Sequence, residues 1–221
     1  MAVQFGIGAY SPAEAGRLLA IPPATIKHWL FGYSYDHHGP RRDQPPLWQA
    51  QYGLEQEEPL LGFRDLLEAR IVRGLRAAKF GMPTIRRCLE VAREVVGDDH
   101  PFSTNRFKHD GKRLFIEQGN GVLDLRGRQH VFRAVIEPTL QDLDFDLDAA
   151  SRWWLNPKRK TLVIDPERAF GQPIVAETGI TTASLAQAVE AEGSVERVAR
   201  WFDLTPAVVR DALGFERRTL H

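Results

Sequence analysis

The sequence predicts an α+β fold, mainly α, in three parts: helical blocks at residues 1–97 and 166–221 around a small mixed α/β segment at 98–165. Three observations predict it. Apolar side chains recur at the three- and four-residue spacing of amphipathic helices through residues 9–97 and again beyond 166. Short β-branched or apolar runs bounded by turn residues, RLFIE at 113–117 and TLVID at 161–165, fall in the middle. The Pro-, Gly- and Asp-rich stretch YSYDHHGPRRDQPPLWQAQYG, residues 33–53, interrupts the first helical block.

The first helix starts at SPAEAGRLL. Ser11 is placed as N-cap, Pro12 at the first helical position and Glu14 at capping-box spacing, with Ala15, Leu18 and Leu19 as the apolar side. Ile21 and Pro22-Pro23 stop it and force a tight turn, and PATIKHWL restarts a helix on Pro23. There Ile26, Trp29 and Leu30 share the inner face, leaving Ala24, Thr25, Lys27 and His28 outside. Two short helices joined so closely must cross steeply, which is the arrangement of a recognition helix. After the irregular stretch, Phe63, Leu67, Ile71 and Leu75 mark a third helix that Gly81 ends. Pro83 opens a fourth with Ile85, Leu89 and Val96.

In the middle, GRQHVFRAVIEPTL has helical spacing through Val131, Val135 and Ile136. QDLDFDLD, at 141–148, alternates as an amphipathic strand with Asp142, Asp144, Asp146 and Asp148 on one acidic edge. In the last block Thr182 or Ser184 caps a helix carrying Leu185, Ala188 and Val189, and Gly193 ends it. Ser194 starts another with Val198, Trp201 and Phe202 inward, and Thr205-Pro206 starts the last.

Charge is balanced, 29 Lys plus Arg against 29 Asp plus Glu, but unevenly placed. From Arg64 to Glu94 there are eight basic and four acidic residues, whereas 141–148 carries four aspartates and no base. Arginine supplies 23 of the 29 cations, the side chain suited to bidentate phosphate or carboxylate contacts. For Arg70, Arg73, Arg76, Arg86 and Arg87 a solvated helix face is expected. With 43% apolar and 26% charged residues the chain is of globular type. The lone Cys88 can form no internal disulfide, and no apolar run of membrane length or signal peptide is read, so a cytoplasmic protein is expected.

The residues point to phosphate and base contact more than to catalysis. Helix starts at Ser11 and Thr25 can offer backbone N–H groups to a phosphate, Lys27 and His28 project outward, and Arg64 stands at the next helix start. Ala24 offers contact to a thymine methyl. No nucleophile–base pair or ligand cluster completes an active site, so no enzyme, metal or cofactor is expected. His37 and His38 beside Asp36 read as a surface turn, His100, His109, His130 and His221 are isolated, and Cys88 reads as packed.

The order YSPAEAGRLLAIPPATIKHWL, wing, GFRDLLEARIVRGLRAAKFGMPTIRRCLE resembles the MerR-type winged helix-turn-helix. Thr25-Ile26-Lys27-His28-Trp29 matches the family's Thr-Leu-Arg-Tyr-Trp-like recognition run. The resemblance implies wing arginines at Arg41 and Arg42 and a phosphate contact from His28. GQPIV after Thr161–Asp165, the run GSVERVARWFDLTPAVVRDAL and the central HPFSTNRFKHDGKRLFIE are similar to VapB-type antitoxins with a MerR-like head. That second resemblance implies a type II toxin-antitoxin pair, with operator DNA and a PIN-domain ribonuclease toxin as partners and a homodimer inside the complex. Arg217 and Arg218, on a free end, and Arg210 are the candidate partner-binding residues. The alternative is a stand-alone MerR-like regulator whose middle region senses a ligand.

Overall fold

A computed structural model describes residues 6–36, 41–53, 58–107 and 129–219. The chain is α+β and mainly α. In order it forms α1 (Pro12–Leu19), α2 (Pro23–Phe31), β1 (Tyr33–Tyr35), β2 (Arg42–Gln44), α3 (Phe63–Ala77), α4 (Met82–Val96) and α5 (Gln129–Gln141). Four strands follow, β3 (Leu143–Asp146), β4 (Ala149–Trp154), β5 (Leu162–Ile164) and β6 (Pro173–Val175), and then α6 (Thr182–Glu192), α7 (Val195–Trp201) and α8 (Pro206–Thr219). The expected strand at 113–117 and the residues His37, His38, His109 and His221 lie outside the described residues, as does the side chain of His130.

Local sequence accounts for most helix ends. Ser11 and Glu14 close the capping box of α1 in both directions, Gly97 ends α4, and Gly193 and Ser194 end α6 and start α7 as expected. Two signals shift. Lys79, not Gly81, takes the left-handed position after α3 (φ 66°), because the amide of buried Phe80 reaches back to the Leu75 carbonyl and draws the turn closed. Gly81 becomes the N-cap of α4. Likewise Thr181, one residue ahead of the expected caps, accepts from the Ser184 amide and starts α6.

β3, β4, β5 and β6 form an antiparallel sheet in that order, with a register shift at Asp144/Phe145. The acidic run is therefore strand only over 143–146. Leu147 falls in the β3–β4 turn at φ 53° and is 95% exposed, so the expected alternation breaks where the chain reverses. Among the described residues the buried apolar side chains fall into two clusters. One runs from Tyr10 through the helices of the head to Leu143, Trp153 and Ile164; the other joins Leu162 and Val175 to Leu185, Val198, Val209, Ala212 and Phe215. β5 serves both, Ile164 belonging to the first cluster and Leu162 to the second. Head and tail are also clamped directly. The Tyr10 hydroxyl donates to the Gly171 carbonyl (2.8 Å) and the Ala9 amide to that of Phe170 (3.0 Å). Gly171 has φ +81°, and a Cβ there would sit 2.2 Å from the Tyr10 oxygen.

Trp201 was expected inside and is 63% exposed. The inward face of α7 is centred on Val195, Val198, Ala199 and Phe202, and at 3.6 residues per turn Trp201 points roughly 110° away from it.

The first two turns of α3 carry two buried carboxyl groups, Asp65 and Glu68. Asp65 accepts from the Trp48 indole, the amides of Gln51 and Gly62, and His100 Nε2 bonds to it at 2.8 Å. One turn on, Glu68 accepts from the Ser103 amide through Oε1, while Oε2 has no partner among the described residues. Burial, only partly offset by the Arg64 charge and by the amides of Ser103 and Phe102, pushes the Glu68 carboxyl up to about 8. A carboxyl raised on folding is neutral in both states below its unfolded value of 4.5, so its cost grows as pH rises toward 8. Glu68→Gln keeps an acceptor for Ser103 and removes that cost. The variant should equal the wild type near pH 4 and gain on it steadily up to about pH 8, by several kcal/mol, in urea unfolding. A difference that does not change with pH would mean that folding does not raise the Glu68 carboxyl.

Candidate nucleic-acid interface

The exposed surface of α2 is continuous with the β1–β2 hairpin. α1 and α2 meet at a left-handed Ala20 (φ 48°) and the Pro22-Pro23 restart, and the burial of Ile26, Trp29 and Leu30 turns Ala24, Lys27 and His28 to solvent. Thr25 is half-buried, and its amide is bonded to the Pro22 carbonyl. As Pro23 has no N–H, the start of α2 offers few free donors to a phosphate. Ser11 is spent internally as well: its amide and hydroxyl both donate to Glu14 Oε2 at 2.8 Å.

The hairpin brings a feature the spacing did not reveal. His28 stacks at 4.6 Å on Tyr33, whose ring lies 5.8 Å from that of Tyr35, so three aromatic side chains continue the α2 face along β1. Tyr33 is 44% exposed. The register sets Tyr35 opposite Arg42 and Ser34 opposite Asp43, and the Ser34 hydroxyl donates to Asp43 at 2.6 Å. Arg41 and Arg42 are exposed. The sequence signal was the Tyr-x-Tyr alternation, which puts both rings on one side of a strand.

The return of the hairpin is held from below. The Leu47 amide donates to the Trp29 carbonyl (2.7 Å), Arg86 donates to the carbonyls of Pro45 and Pro46 (2.9 and 2.8 Å), and Arg93 to that of Leu47. The expected solvated arginine face is therefore corrected for several members. Arg86 braces the hairpin, Arg76 caps the α3 end through the Phe80 carbonyl, and Arg87 pairs with Glu90. Arg70 binds Asp142 and the Thr139 carbonyl and lies 4.4 Å over the Trp153 ring. Arg73 is exposed as expected.

Arg64 is also redirected. Its guanidinium donates to Asp98 (2.7 Å), Ser103 Oγ (2.8 Å) and the His100 carbonyl (2.9 Å), locking α3 to the turn after α4 in place of the phosphate contact expected of it. Against the upward push of partial burial, the His100 amide and then the Arg64 guanidinium hold Asp98 below the usual carboxylate range. Cys88 is buried, and burial pushes its thiol up to about 12. Arg210 is exposed and pairs with Glu196 at 2.7 Å. Arg217 and Arg218 stand not on a free end but on the last turn of α8, whose Phe215 is in the core.

Among the described residues no three His, Cys, Asp or Glu side chains are placed to hold a metal ion, and no helix is long and apolar enough to cross a membrane.

Residues 8–89 match the family described as a putative DNA-binding HTH domain, and residues 162–215 match a family of unknown function, DUF433. A curated protein of Mycobacterium tuberculosis named putative antitoxin VapB45 is 27% identical over 227 residues, spanning 96% of this chain and 95% of its own. The crystal structure of Rv2018 from the same organism superposes with a TM-score of 0.75 at 25% identity, over 96% of this chain and all of the other. The chain is thus similar, over nearly its whole length, to a protein named putative antitoxin VapB45, with a head that matches the putative DNA-binding HTH description and a tail that matches DUF433.

Proposed function

We propose that the protein is the antitoxin of a type II toxin-antitoxin pair. A homodimer would bind a palindromic operator through the MerR-like head, residues 1–97, repress its own operon, and neutralise a PIN-domain ribonuclease through residues 98–221. The observation that carries the DNA half is the joined surface of α2 and β1, in which Lys27 and His28 adjoin the Tyr33–Tyr35 array. Long cations there reach phosphates, and stacked aromatic rings with polar ends suit the sugar–phosphate rim. Arg41 and Arg42 add charge on the hairpin side, Ala24 offers apolar contact, Ser11 fixes the start of α1, and half-buried Thr25 stands at the edge of the face. Little hydrogen-bonding code faces out, so shape readout carries much of the specificity.

Lys27→Glu should weaken operator binding by about tenfold or more and lower the salt slope by about one, and His28→Ala should weaken it by a few-fold. Titrating the promoter fragment from 50 to 200 mM salt reads both. Equal affinities for Lys27→Glu and wild type would remove this face from the interface. For the antitoxin half, co-expression with the adjoining reading frame should rescue growth and yield a stable complex.

A second reading, a ligand-responsive regulator, is favoured by one feature. A cleft of about 850 Å³ opens beside β3 and β4, lined by Asp144, Asp146, Arg152, Asp165 and Glu167. Promoter activity that follows a small molecule, with an inert neighbouring frame, would select it.

A further inference from the structure

A groove of about 420 Å³ lies between the β4–β5 turn and the outer face of α8. Lys158, Arg159, Arg210 and Arg218 line it, and Asp211 is the one carboxylate among the described residues that do. Asp211 is already saturated: it accepts from Arg159 (2.5 Å), Thr161 Oγ (2.9 Å) and Asn156 (3.3 Å). Those bonds make the turn a built element. Asn156 also accepts from the amides of Thr161 and Leu162, and its carbonyl accepts from those of Arg159 and Lys160, with Lys160 left-handed at φ 51°. Asp211 thus fixes the turn through Arg159, and two cations of the turn, Lys158 and Arg159, line the groove with Arg210 and Arg218 of the helix. Among the described residues Arg210 is tied only to Glu196, in a pair more than half exposed on both sides, which a competing anion can displace at little cost.

Gly214 stands in the middle of α8 on the floor of this groove. Its φ is not positive, and a Cβ there would meet nothing closer than Arg218 Nη1 at 3.8 Å, so neither backbone nor packing requires glycine, a poor helix former. Its absent side chain leaves the floor open to a partner atom.

We infer that this groove is the docking site for a carboxylate-rich segment of a partner protein. Residues 156–219, which bear the groove, carry nine cations against nine carboxylates, so the module as a whole offers an extended polyanion no net attraction. A duplex must pass that surface as a rod of phosphates, whereas a short acidic segment meets only the groove, where guanidinium groups grip carboxylates in pairs. The inference deepens the antitoxin reading, on whose protein partner it rests, and moves the docking residues from the chain end to Lys158, Arg159, Arg210 and Arg218.

Two measurements on the full chain test it. An octa-aspartate peptide titrated at low salt should shift the amides of Lys158, Arg159, Gly214 and Arg218. Its affinity should fall at least tenfold in Lys158→Glu/Arg218→Glu, and equally in Gly214→Leu, which improves the helix and fills the floor without changing charge. A 12-base-pair duplex of random sequence should leave those amides unmoved. Shifts elsewhere, affinities that neither variant changes, or stronger shifts with the duplex would overturn the inference. Co-purification with the product of the adjoining reading frame should be lost in both variants while operator affinity persists. If that product binds both variants as tightly as wild type, the groove is not the docking site. If it fails to bind wild type, the antitoxin reading falls, and the peptide titration alone decides the groove.

Discussion

Replacing Asp65 by alanine will destabilise the protein by about 3–5 kcal/mol. The carboxylate is fully buried and is the common acceptor for the Trp48 indole, the amides of Gln51 and Gly62, and His100. Truncation strands four donors where water has no access, and each unpaired buried donor costs on the order of 1–3 kcal/mol before relaxation. It also disconnects three pieces of chain: the return of the hairpin at Trp48 and Gln51, the start of α3 at Gly62, and the turn at His100. Asp65→Asn keeps the shape but turns an NH2 toward one pair of donors, so it should fall between alanine and wild type. Urea unfolding at pH 7 measures both, and the melting temperature of the alanine variant should drop by roughly 10 °C. A loss below about 1 kcal/mol would show that the network does not hold these segments together.

Gly32→Ala should have the second-largest effect, and it links stability to DNA binding. Gly32 joins α2 to β1 at φ 71°, ψ −177°, a region open essentially to glycine alone. A Cβ there would stand 2.4 Å from the Gln44 carbonyl oxygen, a backbone atom of the paired strand that cannot swing aside. Either α2 or the hairpin must move, at a cost of about 2–3 kcal/mol. The movement separates His28 from Tyr33, so operator affinity should fall about tenfold. Thermal unfolding and promoter titration on the same variant give both quantities. Normal melting with normal affinity would mean that the hairpin is not seated on Gly32.

Much of the fold was legible because its signals are local. Ser11 with Glu14, Ser194 with the Arg197 amide, and Gly193 act within one turn of where they stand, and the inward faces of α2 and α4 follow from spacing alone. The outward set Ala24, Lys27 and His28 could be read for the same reason. Tyr33 and Tyr35 could not be joined to that set, because only the reversal at Gly32 and the pairing with β2 bring them beside His28. Trp201 failed for a different reason. In a seven-residue helix one apolar residue more or less recentres the face, and spacing does not say which ones win.

By itself the sequence determined most helix starts and stops, most of the outward face of α2, and that a basic helical block is balanced by acidic segments. These depend on bonds and spacings within a few residues. The tertiary structure decided what the charged side chains are for. Arg64, Arg70, Arg86 and Arg93 meet carbonyls and carboxylates 34 to 72 residues away, and Lys158 and Arg159 meet α8 because Asp211 anchors their turn. A long flexible cation can satisfy many acceptors at similar energy, so its partner is set by whichever carbonyl the packed core leaves within reach, and nothing in its own neighbourhood of the chain records that choice.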